Sequence, residues 1–217
     1  ANRELEAFSY SVSHDLRAPL RAIDGFSEML QSQYHAMLPN DAQRFIQRVR
    51  SGAVRMGTLI DDLLQFSRVT RTELARLPVS LDALVQEAIE EIRVTDPSRV
   101  IEWRVSELGR ASADAGLLRR VFANLLGNAV KFSRDRDPAV IEIGRTETDG
   151  QVTYFVRDNG VGLDMAHAGQ MFGVFQRLHL QEEFEGTGIG LATVERIVHR
   201  HGGRVWAESE LDEGATF

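Results

Sequence analysis

Residues 13–20 read Ser13-His14-Asp15-Leu16-Arg17-Ala18-Pro19-Leu20 and set a histidine beside a carboxylate. A neutral imidazole is a competent nucleophile, and an adjacent carboxylate can orient it and take its proton. On a helix, Arg17 falls on the side of His14, three residues on. Pro19 removes a backbone donor and crowds the preceding turn, which costs up to about 3 kcal/mol and bends or loosens the helix just past the histidine. Strain beside a reactive group points to function without proving it. Taken alone, the segment favours a plainer reading, a surface histidine above a bend.

A second group is Asn124-Leu125-Leu126-Gly127-Asn128-Ala129-Val130-Lys131-Phe132-Ser133. Asn124 and Asn128 lie one helical turn apart, on a face that Lys131 joins. Asparagine is a poor helix-interior residue, so two in an apolar helix require a reason. An amide oxygen suits Mg2+, which takes few protein ligands and completes its shell with phosphate oxygens and water. Lys131 can hold a phosphate, and Phe132 offers a flat face to a purine. A third group, Asp158-Asn159-Gly160-Val161-Gly162-Leu163-Asp164, follows a strand pattern. Its glycines admit close backbone approach, and a buried Asp158 can accept from an exocyclic amine. A fourth, Glu185-Gly186-Thr187-Gly188-Ile189-Gly190-Leu191, opens a helix whose free N–H groups form a phosphate cradle. Singly, each of these three is also ordinary turn or capping chemistry.

The elements that must position these groups fall into two sets. Residues 1–72 carry two helical stripes, one through Leu5, Phe8, Val12, Leu16, Ile23, Phe26 and Leu30. The other, through Phe45, Val49, Gly52, Met56, Leu59, Leu63 and Phe66, is a heptad seam that Ile46, Ala53, Ile60 and Leu64 widen. Leu38-Pro39-Asn40-Asp41 marks the turn between them. Two helices cannot enclose seams this wide, so a homodimer forming a four-helix bundle is expected. Residues 73–217 alternate helix and strand patterns, with strands expected at 74–79, 99–105, 140–146, 152–157, 204–208 and 215–217. Ser80 and Asp114 are expected helix caps, Asp149-Gly150 a hairpin turn, and Gly202-Gly203 the stop of a helix over 188–201. The fold class is multidomain: an α hairpin followed by an α+β sandwich with one mixed sheet under helices.

Composition excludes several classes. No apolar run approaches the ~20 residues that span a bilayer, and no signal-peptide pattern is present. The absence of cysteine removes disulfides and thiolate chemistry, and the six histidines lack zinc-site spacing. A net charge of −7 argues against general nucleic-acid binding. No membrane contact is expected of this segment. It reads as part of a longer chain, with its last strand cut short.

The four groups in this order resemble the two-component sensor histidine kinases over nearly the whole chain. Residues 1–72 look like their dimerisation and histidine-phosphotransfer domain, and residues 73–217 like their ATP-binding domain, shared with gyrase, Hsp90 and MutL-type ATPases. Met171-Phe172-Gly173-Val174-Phe175-Gln176-Arg177 is similar to the family's phenylalanine box, and Gly214-Ala215-Thr216-Phe217 to its last glycine motif. The resemblance implies ATP and Mg2+ as cofactors, with His14 attacking the γ-phosphate and Asp15 as base or orienting partner. It implies that Asp158 reads the adenine amino group, Phe132 lies against the ring, and Thr216 supports the same end. Asn128 would hold Mg2+, while Asn124 and Lys131 share its face and Lys131 contacts phosphate. Gly160, Gly162, Gly186, Thr187, Gly188, Gly190 and Leu191 would form the lid, and Arg177 would neutralise the transferring phosphate. The phosphoryl group would pass to a response-regulator receiver domain. A cytoplasmic location and an upstream sensor module feeding the helix near Leu5 are expected.

Two positions narrow the chemistry. Hydrolytic relatives place a water-activating glutamate where this chain has Asn124, a neutral amide, so transfer to histidine is expected over hydrolysis. Many family members carry Thr or Asn where Ala18 stands, so weak phosphatase activity is expected. A degenerate scaffold and a hydrolytic ATPase are the alternatives. The complete nucleotide boxes weigh against the first, and Asn124 with the His14 hairpin weighs against the second.

Overall fold

A computed structural model describes residues 2–69, 73–176, 184 and 186–217, with backbone alone for residues 2–14, 167 and 168. The chain divides into two units, Ala1–Arg68 and Val69–Phe217. Among the described residues no helix is long and apolar enough to cross a membrane.

The first unit is a helical hairpin: α1 (Asn2–Tyr34), a 3-10 turn at His35–Met37, and α2 (Asn40–Val69). α1 runs through Pro19 without interruption. Gln43 Nε2 closes the connection by donating to the carbonyls of His35 (2.9 Å) and Leu38 (3.1 Å). Leu20, Ala53, Ile60 and Leu64 form its buried cluster. Arg17 pairs with Asp61 across the hairpin, and Arg50 with Asp24 at 3.0 Å. The wide stripe of α2 divides between two faces. Ala53, Ile60 and Leu64, expected only to widen it, face the sister helix, whereas Phe45, Val49, Met56 and Leu63 remain exposed. Two antiparallel helices bury only the stripe on their line of contact, and the rest of a broad apolar face turns away.

In the second unit β1 (Leu77–Ser80) pairs with β3 (Arg110–Ala113), between which come α3 (Leu81–Thr95) and β2 (Ile101–Val105). There follow α4 (Ala115–Phe132), β4 (Ala139–Thr148), β5 (Gln151–Asp158), a 3-10 turn at Met165–Gln170, α5 (Gly190–Arg200), β6 (Glu208–Glu210) and β7 (Gly214–Thr216). The main sheet has the order β2-β4-β5-β7-β6, parallel between β2 and β4 and antiparallel elsewhere. Ile141 and Ile143 of β4 point into a core with Val85, Leu126, Val194 and Ile197, and each such aliphatic side chain contributes about 1.5–3 kcal/mol on burial.

The expected punctuation is in place. The Ser80 hydroxyl accepts from Ala83 N (3.3 Å) and the Asp114 carboxylate from Leu117 N (3.1 Å). Asp149 and Gly150, with φ of 53° and 74°, make the mirror-image turn that matches strand twist. At the end of α5 the Asp114 N–H donates to His201 Nε2 at 3.1 Å, tying it to the start of α4. Two strand expectations shift. β1 begins at Leu77 rather than at residue 74, and residues 204–207 pair with no strand among the described residues. Their alternation records Val205 and Ala207 packing inward while Trp206 faces out.

Candidate nucleotide site

The last turns of α4, the loop after β5 and the start of α5 meet at one end of the sheet. Asp158 closes β5 between Ile141 of β4 and Ala215 of β7, on the helix-covered face. It is buried, and burial pushes its carboxyl up to about 6 against the opposing pull of the Gly160 and Ala215 backbone N–H groups. Its Oδ1 accepts from Gly160 N at 2.8 Å. A side chain at Gly160 would start 2.5 Å from the Phe132 carbonyl oxygen, and one at Gly162 (φ 69°) 2.0 Å from that of Glu210. Both glycines are therefore dictated by close approach. Asn159 is structural: its Oδ1 accepts from Val140 N at 2.9 Å.

Asn128 is half-buried, and its amide has no hydrogen-bond partner among the described residues. A single uncommitted amide oxygen fits the sparse protein ligation of Mg2+. Among the described residues no cluster of three His, Asp or Glu could hold a metal. Lys131 Nζ lies 4.0 Å from the centre of the Phe132 ring and 3.5 Å from where a Gly186 Cβ would be. Gly186 is exposed, Thr187, Gly188 and Gly190 are half-buried, and Leu191 packs on the core. The Gly188 carbonyl accepts from Phe175 N at 2.9 Å, which anchors the loop. α5 begins without a side-chain cap, so its first N–H groups are available to an anion. Two hollows of about 330 and 510 Å³ open elsewhere, and neither is lined by Asn128, Lys131 or Asp158.

Three expected site residues make contacts within the chain. The Asn124 amide donates to Arg120 O at 2.8 Å and its Oδ1 lies 2.5 Å from the Cβ position of Gly190, so it braces α5 against α4. The Phe132 ring is flanked by Lys131 and, at 4.9 Å, by Phe184, whose ring also meets Arg134. The structure thus pairs Phe132 with a residue that sequence reasoning missed, because a lone Phe among glutamates carries no periodic signal. Thr216 Oγ1 accepts from Arg157 Nε at 3.1 Å on the opposite sheet face from Asp158, and Ala215 stands beside Asp158 instead. The two-residue period of a strand forces that alternation. His14 lies within α1 with its side chain outside the described set; Asp15 is exposed; Arg177 lies outside the described residues.

The larger unit has the architecture and site of a nucleotide-binding sandwich, and the family model for histidine kinase-, DNA gyrase B- and HSP90-like ATPases matches residues 113–217. The model for the His Kinase A phospho-acceptor domain matches residues 4–72. The chain is 36% identical over 217 residues to cyanobacterial phytochrome A of Nostoc sp., covering 100% of this chain and 28% of that protein. It is 35% identical over 214 residues to the methanogenesis regulatory histidine kinase FilI of Methanothrix harundinacea, 98% of this chain and 24% of that one. Full-length ShkA, solved in complex with AMPPNP, aligns with a TM-score of 0.68 at 28% identity over 97% of this chain and 44% of its own. The chain belongs to the histidine kinases, of which it carries the phospho-acceptor and ATP-binding domains. It spans less than a third of the length of each of these two curated relatives.

Proposed function

We propose that this chain transfers the γ-phosphoryl group of ATP to its own His14 and passes it to an aspartate of a response-regulator receiver domain. The observation that carries the reading is a buried carboxylate, Asp158, at the same end of the sheet as the uncommitted Asn128 amide, Lys131 and the uncapped start of α5. Asp158, ionised at neutral pH, accepts from the adenine amino group. Lys131 and the N–H groups from Gly186 to Leu191 hold the phosphates. Asn128 would hold Mg2+, which would supply positive charge to the phosphates. Arg177 would add positive charge at the γ-phosphate. A ring nitrogen of His14 attacks Pγ; the N–P bond forms as the bond from Pγ to the β–γ bridging oxygen breaks. ADP leaves with that electron pair, and Asp15 takes the imidazole proton.

Asn124 supports transfer over hydrolysis, since a neutral amide bonded to Arg120 O is no base for water. Ala18 offers no hydrogen bond to orient water, which supports weak phosphatase activity. The exposed Phe45, Val49 and Met56 support a homodimer. The need for ATP and a receiver supports a cytoplasmic setting and a sensor module upstream. Incubation with γ-labelled ATP and Mg2+ tests the reading. Protein label that is acid-labile and base-stable is expected, with little free phosphate and no accelerated loss of label from a phosphorylated receiver. Free phosphate without protein label contradicts it.

A further inference from the structure

Three segments converge behind the Asp158 carboxylate, and the side chain of Arg136 links two of them from the third. The end of α4 meets the loop after β5 where the Phe132 carbonyl accepts from Val161 N (3.1 Å). That loop meets the β6–β7 turn where the Val161 carbonyl accepts from Asp212 N (2.9 Å). Arg136, in the segment between α4 and β4, sends Nη2 to the carbonyls of Gly160 (3.0 Å) and Asp212 (2.8 Å), with Asp212 Oδ1 at 3.4 Å. Gly160 is thereby held at both ends, its carbonyl by Arg136 and its N–H by Asp158 Oδ1 at 2.8 Å. A shift of one peptide is a shift of the carboxylate. There is no slack to absorb it, because a Gly160 Cβ would already stand 2.5 Å from the Phe132 carbonyl oxygen. Arg136 Nε is buried without a hydrogen-bond partner. The desolvation cost of that unpaired donor offsets part of the stability that the Nη2 hydrogen bonds contribute, so the clearer consequence of those bonds is positional.

We propose that Arg136 is a positioning residue for base recognition: by fixing Gly160 it aims Asp158 and sets the preference of the site for adenine over a base lacking the exocyclic amine. This rests on Asp158 reading that amine. The test is calorimetric titration of the whole chain with ATP and with inosine triphosphate, which carries a carbonyl in place of the amine. Wild type binds ATP more tightly than inosine triphosphate. Arg136→Ala loses about tenfold in ATP affinity, as for one charge-assisted hydrogen bond, while inosine triphosphate binding changes by less than about twofold. Arg136→Lys, whose ammonium lacks the planar fork, retains part of the preference but loses at least about threefold. Equal losses for both nucleotides, or an unchanged preference in Arg136→Ala, overturn the proposal. Should Arg136→Ala lose its fold by circular dichroism, an unchanged preference in Arg136→Lys overturns it. A wild type that binds both nucleotides alike removes the Asp158 reading itself.

Discussion

Among the described residues of the α1–α2 hairpin the buried apolar cluster is Leu20, Ala53, Ile60 and Leu64, whereas the larger unit encloses Leu81, Val85, Leu108, Leu126, Ile141, Ile143, Val194 and Ile197 among others. The hairpin leaves Phe26, Phe45, Val49 and Met56 about half exposed or more. On the proposed dimer, the difference separates a unit that encloses its own core from one whose apolar face a second copy would cover. It also separates the chemistry. On the proposed function, Asp158, Asn128 and Lys131 lie in the unit with the larger core, and His14 lies on α1 of the hairpin.

Charging the open face breaks this contrast most directly. Val49→Glu with Met56→Glu should weaken dimerisation by at least about a hundredfold, since carboxylates in an apolar seam pay for desolvation without a partner. Sedimentation should show monomer, while ATP affinity, set in the other unit, changes by less than about twofold. A dimer that survives, or an equal loss of ATP binding, means the units do not divide the work this way. A smaller effect belongs to Asp158. Its carboxyl is raised from 3.8 to about 6 by burial, so the folded state binds more protons than the unfolded one between those values. Stability therefore falls as pH rises from about 4 to about 6 and levels off above, by at most about 3 kcal/mol. ATP affinity moves the other way and declines as pH drops through 6. Denaturation midpoints and nucleotide titrations over pH 4–8 read both, and Asp158→Asn should flatten the two profiles.

Much of this was legible because it is local. Ser80 and Asp114 cap helices, Asp149-Gly150 turns a hairpin, and each sits where its own backbone chemistry puts it. Asp158, Asn128 and Lys131 were recognisable from order and spacing, and the fold brings their segments to one end of the sheet. What was not legible concerns direction and partners. Thr216 and Ala215 are adjacent in sequence, and only the register with β5 decides which one stands beside Asp158. Phe184 meets Phe132 across a long stretch of chain, and Arg136 reaches Gly160 and Asp212 likewise. The apolar stripe of α2 was visible, but which edge of it meets α1 depends on how the helices cross. No one-dimensional pattern encodes these choices.

The central claim is that one unit holds the nucleotide and the other receives the phosphate. Labelling the intact chain with γ-labelled ATP and then cleaving at residues 70–72 tests it most directly. The account predicts label on the hairpin fragment alone, lost in His14→Ala while ATP affinity of that variant is unchanged. Label on the 73–217 fragment, or label that persists in His14→Ala, would contradict it.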